Sequence, residues 1–158
     1  MDYDLAIDDS PATIPGGTGV LLLHPSIGET DRIDTDFLKT DTDHFLVIST
    51  RTTAREVRQK LEYYDVDGIV AHTREFLERH DGKRRISLDS LTEMAYYADE
   101  DAAYDAAEQI LDLLEEFDAV GLFHLSKEVH DDATVERFQQ LFDGVLDLGE
   151  DGNVTASF

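Results

Sequence analysis

The stretch GVLLLHPSIGET, residues 19–30, runs an apolar segment, Val20 to Leu23, into a turn that holds Pro25, Ser26 and Gly28. A strand entering such a turn is where a phosphate-binding loop sits. That loop needs the pattern GxxxxGK[ST]: glycines let backbone N–H groups wrap the phosphates, and a lysine reaches them. In this chain His24 replaces the first glycine, the loop is one residue short, and Glu29 stands in the lysine position. The stretch is a broken nucleotide site, a modified one, or a turn that only looks like one. Further along, ISLDSL ends an apolar run in Asp89-Ser90. An aspartate at a strand end can hold Mg²⁺ through water, and it can equally be a residue that caps the helix that follows.

Other chemistry-bearing residues support less. His124 and His130, with Asp131 and Asp132, match no standard metal-ligand spacing, so no metal site is expected. Ser26, Ser87 and Ser90 lie in no G-x-S-x-G elbow, which leaves a serine nucleophile without support. A histidine at the mouth of a strand, as His24 is, more often satisfies loop carbonyls than a ligand. Tyr63-Tyr64 and Tyr96-Tyr97 read as core and rim packing, or as a partner surface if exposed together. Without cysteine, disulfides and thiolate chemistry are excluded.

Strand-like runs alternate with helix-like segments. Leu5–Ile7 reads as a short edge strand, followed by runs at Gly19–Leu23, His44–Thr50, Arg85–Asp89 and Ala119–Ser126. TAREVRQKLEYY carries a Thr53/Glu56 capping box, and GIVAHTREFLERH forms a second amphipathic helix. The longest helix is predicted over Asp101–Phe117, and another follows a cap at Asp131 or Asp132. GVLDL and VTASF close the chain as a hairpin. This alternation implies crossover connections and a mostly parallel sheet covered on both faces, an α/β fold in one domain over 1–158. Two helices separated only by Asp65-Val66-Asp67 interrupt the pattern, which marks residues 64–68 as a deletion or a missing segment.

Thirteen Lys+Arg stand against 36 Asp+Glu, a formal charge of -23. The acids are interleaved with apolar positions along the whole chain, so they are not a disordered tail. Only four lysines occur: Lys39, Lys60, Lys83 and Lys127. Such a surface suits a cytoplasm at molar salt, where the Debye length falls to about 3 Å and self-repulsion is screened. We read the chain as a halophile's cytoplasmic protein. The acidity opposes direct nucleic-acid contact, which needs a cationic footprint. Lys83-Arg84-Arg85 is the one dense basic cluster and reads as a solvated loop. No apolar stretch approaches the length of a membrane span.

Taken in order, IPGGTGVLLLHPSIGET, ISLDSL, GLFHLSKEVHD and FDGVLDL resemble the KaiC-type branch of the RecA-like ATPases, over Ile14 to Phe158. The resemblance implies a RecA-like sheet with nucleotide at the C-terminal edge of its strands. The residues in the nucleotide-site positions are then Ser26, Gly28, Glu29, Thr30, Asp89 and Ser90. Glu29 reverses a charge beside the phosphates, where two unit charges 4 Å apart interact by about 4 kcal/mol at an effective dielectric near 20. In this family the catalytic carboxylate ends the second strand. Here that strand ends Ser49-Thr50-Arg51-Thr52, with no acid before Glu56. The expectation is a pseudo-ATPase without catalytic residues or cofactor. It acts through a protein partner, with self-association in the manner of RecA-like domains. The alternative is a working switch that holds Mg-ATP with Asp89 and Thr30, Arg51 or a neighbouring subunit replacing the lysine.

Overall fold

The computed structural model describes residues 1–7, 9–25, 31–49 and 54–158. Strands β1 (Asp2–Asp4) and β2 (Thr13–Pro15) form a small antiparallel pair. The main sheet holds β3 (Gly19–His24), β4 (His44–Ser49), β5 (Arg84–Asp89), β6 (Val120–Ser126), β7 (Gly144–Leu148) and β8 (Val154–Ser157). Their order is β4-β5-β6-β3-β7-β8, parallel throughout except for the final β7–β8 hairpin. Helices α1 (Asp31–Lys39), α2 (Ala54–Arg79), α3 (Leu91–Tyr97), α4 (Glu100–Phe117) and α5 (Asp132–Gln139) fill the crossovers.

The central strands β3 and β6 are buried at every position, which is why they read as unbroken apolar runs. Their side chains divide by parity. Leu21, Leu23, Phe123 and Leu125 join Leu77, Met94, Ile110 and Leu114 in the core beneath α2, α3 and α4. Val20, Leu22 and Leu122 pack with Tyr3, Ile14 and, from α1, Ile33 and Phe37 on the other face. The α/β class, the parallel sheet and the closing hairpin are as the sequence leads one to expect. The α5 cap is Asp131, whose carboxylate accepts from Thr134 N at 2.8 Å.

Four expectations are corrected. The edge strand is Asp2–Asp4 rather than Leu5–Ile7, whose apolar side chains are buried without strand pairing. The two helices around Asp65-Val66-Asp67 are one continuous helix, α2. No proline interrupts it, and a lone Gly68 costs only about 1 kcal/mol relative to alanine. Third, Lys83-Arg84-Arg85 is not a solvated loop: Arg84 and Arg85 are buried in β5. Arg84 Nη1 donates to the carbonyls of Leu77 (2.6 Å) and His80 (2.9 Å), and Nη2 donates to that of Phe117. These carbonyls end α2 and α4, where the helix dipole favours a cation. Arg85 donates to Phe37 O (2.9 Å) and Asp4 O (2.7 Å) and lies over the rings of Tyr3 and Phe37. Lys83 pairs with Asp41. Fourth, Tyr96 is 80% exposed rather than packed. The side chains of Tyr63, Tyr64 and Tyr97, and the Thr53 capping box, lie outside the described residues.

Candidate functional site

In this topology β3 stands between β6 and β7, with β5 one strand further out beyond β6. The C-terminal ends of β3, β5 and β6 therefore converge on one edge, beside the start of α1. Parity decides which side chains meet there. Ser87, His24 and His124 follow the alternation of the α1-facing core, and Asp89 continues it at the end of β5. The β5–β6 ladder runs as far as Leu88 against Phe123, so Asp89 and His124 leave it side by side.

Asp34, on α1, reaches over this edge. Its Oδ1 accepts from Ser87 Oγ at 2.8 Å and lies 2.8 Å from His124 Nε2. An ionised carboxylate only accepts, so the ring proton sits on Nε2 and the Nδ1 of a neutral His124 presents a lone pair. That Nδ1 faces Asp89 Oδ1 across 3.9 Å, beyond hydrogen-bonding range. His124 is wholly buried, and among the described residues its Nδ1 has no hydrogen-bond partner. Asp34, Asp89 and His124 each offer a ligand atom within 4.8 Å of the other two. His24 lies edge-on to His124, with ring centroids 5.7 Å apart and Nδ1 at 2.7 Å from Pro25 O.

The rim is built from the neighbouring turns. Ser90, and not Asp89, caps α3: its Oγ accepts from Glu93 N at 3.4 Å. The Asp89–Ser90 peptide is cis. Thr92 Oγ1 accepts from Ser126 N at 2.8 Å and is in hydrogen-bond contact with His130 Nε2 at 3.0 Å. Burial holds His130 below its ordinary pKa, against the opposing pull of Glu100 and Asp131. Lys127, which follows β6, donates to the Asp147 carboxylate and to Leu148 O.

Of the nucleotide-site positions singled out in the sequence, Asp89 and Ser90 stand at this edge, together with His24, Ser87 and His124. Ser26, Gly28, Glu29 and Thr30 lie outside the described residues, as do Thr50, Arg51 and Thr52. The sequence does not bring His124 together with His130, Asp131 and Asp132 in one ligand set; it sets His124 against Asp34 and Asp89. Asp34 went unnoticed because nothing local in DRIDTDFLK distinguishes it from the other acids of α1. Its partners come from β5 and β6, far along the chain.

The model of a family of unknown function, DUF7090, matches the chain in two stretches, residues 1–68 and 65–158. The chain belongs to that family. Among curated proteins none matches. Solved structures do. An ATPase from the type III secretion system of pathogenic bacteria superposes with a TM-score of 0.64 at 13% identity, over 96% of this chain and 57% of its own. A KaiC-like protein of the hyperthermophilic archaeon Pyrococcus horikoshii OT3 gives 0.65 at 16% identity, over 94% and 80%. A second protein of that organism gives 0.65 at 8%, over 90% and 87%. The chain thus spans a little over half of the secretion ATPase. At these identities the likeness establishes the fold, which is that of the RecA-like ATPases.

Proposed function

We infer that this DUF7090 member is a RecA/KaiC-like domain that has given up catalysis and serves as a regulatory or scaffolding protein through protein contacts. The observation that carries the reading is Glu29 in the lysine position of the phosphate loop. The second strand adds to it, since β4 runs into Ser49-Thr50-Arg51-Thr52 with no carboxylate to activate water. The described groups at the C-terminal edge agree: Asp34 and Asp89 add negative charge there, and Lys127 is engaged with Asp147. A polyphosphate gains little from such an edge.

Surface suited to partners is present elsewhere. Phe45 and Val47 on β4 are about half exposed, and Tyr96 is largely exposed. Self-association is one use of this surface. A net charge of -23 sets the chain against nucleic acid and in favour of a halophilic cytoplasm. Among the described residues no helix is long and apolar enough to cross a membrane. A deletion or missing segment near residues 64–68 belongs to the same reading.

The test is calorimetric titration of Mg-ATP and Mg-GTP into the protein in about 2 M KCl, which screens the acidic surface. No heat and no thermal stabilisation at millimolar nucleotide is the expected result. Micromolar binding that disappears in Asp89→Ala overturns the reading and establishes a nucleotide switch with an atypical loop.

A further inference from the structure

We propose that Asp34, Asp89 and His124 form a binding site for a divalent transition-metal ion of the Zn²⁺, Mn²⁺ or Co²⁺ type, occupied without nucleotide. The inference goes beyond the function proposed above and does not rest on it.

The argument starts from a buried mismatch. In its neutral form, with the proton on Nε2 held by Asp34, His124 turns the Nδ1 lone pair toward a carboxylate oxygen 3.9 Å away. Two electron-rich atoms face each other in a place no water reaches. Nδ1 has no hydrogen-bond partner among the described residues. Leaving a polar atom in that condition is unfavourable, and a cation between the two atoms removes the cost.

The separation suits an ion. Metal–nitrogen and metal–oxygen bonds of about 2.0–2.2 Å sum to slightly more than the gap, so an ion fits between Nδ1 and Asp89 with a bent angle at the metal. Asp34 has the position of the carboxylate that orients a ligating histidine, taking the N–H of the other ring nitrogen and raising the ring's basicity. Ser87 Oγ, donating to the same Asp34 oxygen at 2.8 Å, fixes that carboxylate in turn. One imidazole among carboxylates selects zinc, manganese or cobalt over magnesium and calcium, which prefer oxygen alone. Asp34 and Asp89 are 19% and 14% exposed, so the ion has an entry path while the histidine stays dry.

The experiment titrates Co²⁺ into the nucleotide-free protein in about 2 M KCl, followed by visible absorption, with Zn²⁺ competition read by calorimetry. The expected result is one equivalent bound, displaced by Zn²⁺ and not by a tenfold excess of Mg²⁺ or Ca²⁺. Asp34→Asn weakens binding about 10–100-fold, the usual effect of losing a carboxylate that orients a ligand. His124→Asn and Asp89→Asn abolish the spectrum, and His130→Gln, at the same edge but outside the cluster, leaves it unchanged. Circular dichroism checks each variant. Should buried His124→Asn fail to fold, Asp89→Asn, at a partly exposed position, decides. Absence of stoichiometric binding overturns the proposal. So does binding that Asp34→Asn and Asp89→Asn leave intact, which assigns the ion to surface carboxylates.

Discussion

The two ends of β5 are five residues apart and hold their charges in opposite ways. At the N-terminal end Arg84 and Arg85 are buried, and each is met by backbone carbonyls from other elements. Burial lowers the pKa of Arg85, and the acids Asp41 and Asp4 pull against that. At the C-terminal end Asp89 faces the Nδ1 of a buried histidine, which has no hydrogen-bond partner among the described residues. Arg84, held by helix-end carbonyls, and Arg85, held by Phe37 O and Asp4 O and by the rings of Tyr3 and Phe37, close the fold. A lone pair set against a carboxylate stabilises nothing by itself and suits a ligand. The same strand therefore sets guanidinium groups held by carbonyls at one end against a lone pair facing a carboxylate at the other.

The comparison breaks most visibly at Arg85. Arg85→Ala removes two charged hydrogen bonds and ring contacts at a position with no solvent exposure, and should cost about 4 kcal/mol. Urea unfolding in concentrated KCl measures it, and a loss below about 1 kcal/mol would deny the N-terminal end its structural role. At the other end Asp89→Asn should change stability by no more than about 1 kcal/mol in either direction when metal is withheld, since site residues are not chosen for stability. A large loss there would make both ends structural and dissolve the contrast.

The smallest effect is in pH. His130 has a folded pKa below its ordinary 6.5 because it is buried. Below pH 6.5 the unfolded chain therefore binds more protons at this residue, and stability falls as the pH drops toward the folded value. His130→Gln lacks this contribution. Wild-type melting temperature should thus decline relative to the variant between neutral and mildly acid pH, and a constant difference would show that burial does not act on His130.

Much of the fold was legible because covering a parallel sheet on both faces leaves a direct trace in the chain. β5 and β6 begin and end within a residue of their apolar runs, and α4 within one of its periodic stretch. Short α1 left no such trace, having only Ile33, Phe37 and Leu38 buried among polar residues. The basic triplet misled because no local pattern shows that the ends of two helices converge on Arg84. The candidate site was legible only in part. Asp89 at a strand end carries a recognisable form, but Asp34 and His124 meet through tertiary packing, and metal-ligand spacings on one element say nothing of ligands drawn from three.

The strand order has a consequence for how the chain is made. β3, in the middle of the sheet, has for neighbours β6 and β7, with Gly19 opposite Gly121 and Val20 opposite Gly144. The strands that precede α3, β4 and β5, pair with each other at the far side and never touch β3. A nascent chain that ends within α2 thus holds one strand of three main-sheet pairings, β3–β6, β3–β7 and β4–β5, and completes none of them. Non-local pairing of this kind delays folding until its late partners exist. β6 and β7 must leave the ribosome before the sheet acquires a centre, and until then its most apolar strand waits without a partner.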